Sequence, residues 1–402
     1  MRKPRSADLD RPHAEKAVRS TRLRVEITLT DKARMSETSR PRLLRLAVLA
    51  WGMGILLAGL WPFNFFPKNR VQWLPQQNGI HFGDYGEIYG PAPAPAPERK
   101  PSPRSLSLEL WVRGEADYRT FSPILSFDER TRRTWAERFV IAQSLSDLVV
   151  EQFQDRDTPS TRLYLDGACQ EGKPRFLTVT SGPEGTMLYL DGVLERASPT
   201  LSLAADSFSG RLLVGHGTSG QERWRGDVFG LALYPRALTA REVAGHYRAW
   251  QNHQTGELAR AGDGGALYPF DEHRGQLIRE LAGRGPDLMI PSRFRVLGPS
   301  VLSFPWPLRP SDFEDTAVNI LGFLPFGFLL TAYLREVANC DRRRALGMAV
   351  LIGGLASLGI ELLQVYLPSR DSSLLDLLNN VLGSGLGALV QLRFRPGASA
   401  VS

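Results

Sequence analysis

The chain has 402 residues, 43 % of them hydrophobic, and a formal net charge of +7; it is long enough for more than one domain. Two cysteines exclude a disulfide framework and a cysteine-based metal site. Residues 1–42 hold twelve Lys/Arg against six Asp/Glu, so nearly all of the excess charge sits in one tail. No recognition motif accompanies it, which excludes nucleic acid as a partner.

Segment 1–42 reads as a disordered, basic cytoplasmic tail. Met35 is an alternative to Met1 as the start, because MSETSRPRLLRLAVLAWG is by itself a compact membrane-protein N-terminus. Residues 43–63 (LLRLAVLAWGMGILLAGLWPF) carry one charge, Arg45, and are long enough to cross a bilayer. The bulky Trp61-Pro62-Phe63 does not look like a signal cleavage site. Positive charge before a first span keeps that end in the cytoplasm. Residues 64–311 are then extracytoplasmic.

Within this region Ser105–Arg113 (SLSLELWVR) alternates Leu106, Leu108, Leu110 and Val112 with polar partners, the period of a half-buried strand. Further short strands are expected at about 148–153, 162–165, 176–180, 186–190, 211–214 and 228–234. Asp191-Gly192 is a hairpin turn, and Thr239-Ala-Arg-Glu242 is a capping box opening a helix to about Trp250. Short strands with Gly/Pro turns indicate an antiparallel sandwich or jelly roll. Pro91–Pro97 is an extended spacer. Leu108–Val112, Leu188–Val193 and Gly226–Thr239 with its following helix resemble the LamG-like, concanavalin A-type lectin/glucanase jelly roll over about 79–250. Leu267–Gly275 is similar to the strand that usually starts such a domain, and is expected as a permuted edge strand.

A glucanase of this fold sets two carboxylates across the sugar, on one strand as Glu-x-Asp-x-x-Glu; that string is absent here. The acidic pairs Asp128-Glu129 and Asp271-Glu272 point to opposite faces of a strand. The sandwich is therefore expected to bind and not to catalyse, with Trp135 and Trp224 as candidate carbohydrate-stacking residues and core packing as their alternative role. A Ca²⁺ site from loop Asp residues is possible in this fold class, but no loop has a defined ligand spacing for one; no other metal site and no cofactor are expected.

Three more apolar segments follow, at about 317–334, 346–367 and 374–392. The basic loop Arg335–Arg344 and the pair Arg393 and Arg395 lie where cytoplasmic ends should, giving four spans with both termini in the cytoplasm. The expected organisation is a 43–63 span, the 64–311 sandwich, a 312–395 module with spans two to four, and a 396–402 cytoplasmic tail. In fold class this is a multi-domain membrane protein: a four-helix transmembrane α module plus an extracytoplasmic all-β jelly-roll sandwich.

Asp315-x3-Asn319-x2-Gly322 is echoed by Asp376-x3-Asn380-x2-Gly383. Residues four apart share a helix face, and both helices enter from outside. With Glu361, Gln364 and the external Arg370, these groups converge on one polar layer in the outer leaflet. Ionisable groups there cost several kcal/mol unless paired or hydrated. Gly322, Gly327, Gly383 and Gly387 are expected to admit neighbouring backbones, and Pro325 to kink its helix.

Pro62-Phe63, Asp315-x3-Asn319, Phe323–Gly327, Glu361-x2-Gln364, Arg370 and Asp376-x3-Asn380-x2-Gly383 resemble the VanZ-like membrane proteins. The resemblance implies a bacterial cell-envelope protein in the cytoplasmic membrane, of the type associated with low-level teicoplanin resistance, and supplies no catalytic residues. Its expected partners are the lipid bilayer, surface glycan and a lipid-linked envelope precursor. Three functions remain open: glycan binding with envelope modification, a membrane enzyme using Glu361 or Asp376 as base and Arg370 for a phosphate, and a structural anchor.

Overall fold

The computed structural model describes residues 39–93, 105–115, 118–130, 135–153, 160–170, 172–203, 205–217, 223–261, 265–296, 301–304 and 310–394, with side chains at 118–120, 130, 135–137, 205–206 and 311 set aside. The basic tail through 38, the spacer residues 94–97 and the end beyond 394 lie outside the described residues. Two compact units result: Met1–Trp61 with Leu302–Leu362 and Ser373–Ser402, and Pro62–Val301 with Leu363–Ser372.

In chain order the elements are α1 (Ser39–Leu60), then β1 (Val71–Trp73), β2 (Ile80–Phe82), β3 (Ile88–Pro91), β4 (Leu106–Gly114), β5 (Tyr118–Arg130), β6 (Trp135–Leu145) and β7 (Asp147–Gln152). β8 (Thr161–Leu165), β9 (Arg175–Gly182), β10 (Gly185–Leu190), β11 (Val193–Ser198), β12 (Arg211–Val214) and β13 (Gly226–Tyr234) follow. After them come α2 (Ala240–Gln251), α3 (Thr255–Arg260), β14 (Ala266–Tyr268), β15 (Leu277–Ile278), β16 (Leu288–Met289), α4 (Pro310–Glu336), α5 (Arg342–Gln364) and α6 (Leu374–Phe394).

The β unit is a sandwich of two eight-stranded sheets. One runs β1-β2-β13-β4-β9-β10-β11, with β14 also on β13; the other runs β15-β16-β3-β12-β5-β6-β7-β8. Alternation in β4 sends Leu106, Leu108, Leu110 and Val112 into the core, where they meet Phe127, Phe139, Ile141 and Leu212 of the second sheet. The β10–β11 hairpin turns at Asp191 (φ 53°) and Gly192 (φ 82°), the two positive values that a type I′ turn demands. β14 pairs with Leu231–Leu233 of β13 while β2 takes its Gly226–Val228 end, so the strand from Leu267 extends the same edge.

The capping box at Thr239 and Glu242 opens α2. This helix packs on the outer face of the first sheet through Val243 and Trp250, against Phe176, Tyr189 and Ala232. Glu109, fully buried on that face, accepts from Trp250 Nε1 (3.0 Å) and Tyr234 Oη (3.1 Å) and meets His246 Nδ1 (2.8 Å). A carboxylate is tolerated there because three polar groups surround it.

The incoming and outgoing ends of this unit are tied to each other. Asn69 N–H donates to Ser292 O (3.2 Å) and Phe294 N–H to Pro67 O (3.0 Å). Asn69 Nδ2 donates to Glu87 O (2.7 Å) and Pro291 O (2.8 Å), and its Oδ1 accepts from the Glu87 and Val71 N–H groups. Adjacent termini are what allow a domain to be carried inside a loop.

The helical unit alternates direction. Arg45 lies over the Tyr333 ring, Trp51 Nε1 donates to Gly322 O (2.9 Å) and Arg40 pairs with Glu336, so α1 runs antiparallel to α4. A Cβ on Gly383 would meet Ile320 O, and one on Gly387 would meet Leu324 O, at 2.4 and 1.9 Å. Partners that advance together make α4 and α6 parallel. Asn380 meets Ser357, and Gly353 meets Ser384, so α5 runs the other way. Gly327, Gly383 and Gly387 thus admit neighbouring backbone as expected. Gly322 does not, for a Cβ there would touch nothing within 4 Å. α4 continues through Pro325.

Three helices, α1, α4 and α5, are long and apolar enough to cross a membrane among the described residues, not the four expected. α6 has the length, 21 residues, but Asp376, Asn379, Asn380, Ser384 and Gln391 dilute its apolar character.

Candidate functional site

The polar layer is assembled differently from the sequence expectation. Glu361, 2 % exposed, is met by backbone: its Oε2 accepts the Ser373 N–H at 2.7 Å. Ser373 stands just before α6, and its Oγ accepts the Asp376 N–H (3.3 Å), the arrangement of an N-cap. Glu361 therefore takes up one of the orphan donors at the head of α6, and a negative charge suits that end of the helix dipole.

Asn380 Nδ2 donates to Ser357 Oγ on α5 (2.9 Å), and Asn379 Nδ2 to Thr316 Oγ1 on α4 (3.0 Å). The interhelical partners are thus Thr316, Ser357, Ser373 and Asn379, none of which was among the expected site residues. Hydroxyls at i−4 from Glu361 and at i+1 from Asp315 were the available signals. Asp315 is exposed, Asn319 and Asp376 are half-buried, and Asp315 does not stand over a buried Asn319 as a pair. Gln364 is buried and Arg370 exposed; both belong to the 363–372 segment of the β unit, where Phe66 and Tyr366 rings meet at 6.2 Å.

α6 has an inverted surface. Leu378, Leu382, Leu386 and Leu389 are 39–52 % exposed, whereas Asn379, Asn380, Ser384 and Gln391 are buried. Helical spacing puts the leucines on one face and the polar groups on the other. Buried Asn380 Oδ1, Ser384 Oγ, Gln391 Oε1 and, on α4, Thr331 Oγ1 make no hydrogen bond among the described residues.

In the sandwich, Trp224 is fully buried, its Nε1 donating to Gln143 Oε1 (2.9 Å) and its ring 5.8 Å from Phe82. It belongs to the core and presents no face to a sugar. The Trp135 side chain lies outside the described residues. Asp128 is fully buried while Glu129 pairs with Arg138 at the surface, the opposite-face arrangement expected of strand neighbours. Glu272 accepts the Arg279 N–H (2.6 Å). Among the described residues no three His, Cys, Asp or Glu side chains gather as metal ligands.

A second cluster, unmarked in the sequence, sits on the open part of the first sheet. Asp227, on β13, is opposite both His81 of β2 and Arg113 of β4. Its Oδ1 meets His81 Nδ1 at 2.7 Å, and its Oδ2 accepts from Arg113 Nε (2.7 Å) and Nη2. Only the strand register brings these three together.

Residues 253–395 match the VanZ/LLP1 family model, and residues 89–244 match Laminin_G_3, of the concanavalin A-like lectin/glucanases superfamily. These are the two families that the motifs resemble, with the Laminin_G_3 match lying between α1 and the VanZ/LLP1 match. Among solved structures, the receptor-binding domain of botulinum neurotoxin C/D mosaic serotype is 14 % identical, with 45 % of each chain covered and a TM-score of 0.35. That of botulinum neurotoxin D is 12 % identical (45 % of this chain, 46 % of that one, TM-score 0.35). The type G receptor-binding domain is 15 % identical (36 % and 38 %, TM-score 0.29). The chain spans less than half the length of each. No curated protein sequence matches it.

Proposed function

We propose that the chain is a multi-pass protein of the bacterial cytoplasmic membrane, with both termini inside and the sandwich outside, that binds surface carbohydrate through the sandwich. The observation that carries the membrane reading is the inverted surface of α6, with half-exposed leucines outward and buried Asn379, Asn380, Ser384 and Gln391 inward. Water would favour the reverse, whereas hydrocarbon favours apolar groups outward and polar ones between helices. α6 is then the fourth span, and the alternating helix directions agree with four crossings. The basic turn between α4 and α5 falls on the inner side. The carbohydrate reading rests on the Laminin_G_3 match.

Within the polar layer the buried and open members divide the work. Glu361, Asn379 and Asn380 hold the helices through Ser373, Thr316 and Ser357. In the helical unit, exposed Asp315 and half-buried Asp376 are the members that can meet a polar head group of a lipid-linked envelope precursor; Arg370, exposed in the α5–α6 turn, is by its own chemistry suited to phosphate. Such a protein fits the type associated with low-level teicoplanin resistance. The interhelical pairs also favour a second reading, in which the whole layer only packs helices as an anchor for the sandwich.

Asp315→Asn, Asp376→Asn and Arg370→Gln, made separately, decide between the two. On the first reading they raise teicoplanin susceptibility while membrane abundance stays normal. Full resistance in all three, or loss that tracks abundance, leaves only the packing role.

A further inference from the structure

We infer that the saccharide site of the sandwich lies on the outer face of the first sheet, on His81, Asp227, Arg113 and Trp111. This inference rests on the carbohydrate-binding reading and adds its location and chemistry. α2 covers that face as far as Gly230, where a Cβ would strike the Trp250 ring, and Phe176. The cross-strand row beyond is open, with the His81 and Arg113 side chains 42 % and 38 % exposed.

The row is built to hold a donor and an acceptor in place. Asp227 is 8 % exposed and spends both oxygens on its neighbours, His81 at Oδ1 and Arg113 at Oδ2. Phe229, two residues on from Asp227, shares its face by strand alternation, and the register irregularity between Val228 and Gly230 keeps Gly230 on that face as well. The Phe229 ring lies under the Arg113 guanidinium, 5.4 Å from Cζ. Arg113 is therefore fixed by a carboxylate at its edge and a ring at its face. Trp111, two residues back on β4 and hence on the same side, is half-buried and tilted against Phe229 at 5.6 Å.

A planar ring beside preorganised polar groups is the recognition chemistry of a pyranose. The ring takes the sugar's apolar C–H face; Arg113 Nη1, which Asp227 does not use, donates to one hydroxyl, and His81 Nε2, an acceptor once Nδ1–H donates to Asp227, accepts from another. Holding these groups in place beforehand lowers the ordering cost of binding. With Asp227 balancing Arg113, the row suits a neutral sugar better than a polyanion.

The test uses the full chain in nanodiscs on a broad glycan array, followed by titration with the best glycan. Trp111→Ala, Arg113→Gln and His81→Gln are each expected to weaken binding about tenfold or more, with Glu195→Ala on the exposed β11 unchanged. If the wild-type chain binds a glycan and Arg113→Gln and His81→Gln bind it equally well, the site is elsewhere and this inference fails while the carbohydrate reading stands. If the wild-type chain binds nothing, the carbohydrate reading itself fails. Should Trp111→Ala not fold, the two partly exposed polar positions decide the outcome.

Discussion

Asn69 makes use of its whole amide: two donors to carbonyls and an oxygen that accepts two backbone N–H groups. The side chain is nearly buried, at 9 %, and its partners lie on three separate segments, at Val71, Glu87 and Pro291. Asn69→Ala is therefore expected to destabilise the sandwich by about 1–3 kcal/mol, the cost of leaving buried backbone groups unpaired. Chemical unfolding followed by tryptophan fluorescence checks this, and an unchanged midpoint would show that the clasp is dispensable. Residue identity alone did not reveal this role, any more than it showed that Trp224 lies in the core or that Asp227 joins His81 to Arg113. Each depends on which separated segments the fold brings together, such as Asp227 with His81 and Arg113, 146 and 114 positions away. Glu361 was legible as a special residue because a carboxylate in an apolar run is costly. Its partner was not, since a backbone N–H leaves no mark in a sequence.

At the scale of the element, local chemistry was more readable. The capping box of α2 was visible in Thr239-x-x-Glu242 and forms with both of its reciprocal bonds. The Arg236 guanidinium, and then Thr239 through its backbone and side chain, hold the Glu242 carboxyl down at about 2 from an ordinary 4.5. The unfolded chain thus binds this proton more readily than the folded one. The cap's contribution is complete above about pH 4.5 and is lost as pH falls toward 2. Amide hydrogen exchange in α2 should accelerate, relative to β4, across that window, and Glu242→Gln should remove the pH dependence. Equal acceleration in both variants would place the acid effect elsewhere. The contact of α4 with α6 was likewise foreshadowed by the glycines at 383 and 387. A Cβ at Gly387 would sit 1.9 Å from Leu324 O, and backbone cannot yield as a flexible side chain can. Gly387→Leu is expected to separate the helices and abolish folded protein in the membrane, while Gly322→Ala, with open space around it, leaves abundance unchanged. Equal abundance of the two variants, measured by fluorescence-detected size exclusion, would contradict that packing.

For the whole molecule, the order of parts was legible because hydrocarbon and water demand such different residues. Long apolar runs, basic ends and alternating strands each carry a distinct period or charge. The long β5–β6 pair escaped notice because polar Ser122, Ser126, Asp128 and Gln143 are buried within it, which hides the apolar alternation. α6 fell short of the apolar threshold for the complementary reason, that its polar face is turned inward. Sidedness, read from basic charge, can be tested with the protein's own thiols. Cys169 is buried in the sandwich core, and burial pushes its thiol up to about 12, so it should resist any thiol reagent until the domain unfolds. Cys340, half-buried in the turn between α4 and α5, should react with a maleimide that crosses the membrane and be shielded from an impermeant one in intact cells. Glu195→Cys, at an exposed position on β11, should react with the impermeant reagent directly. Labelling of Cys340 from outside, or of residue 195 only after the membrane is opened, would invert the topology and with it the placing of the sandwich among surface glycans.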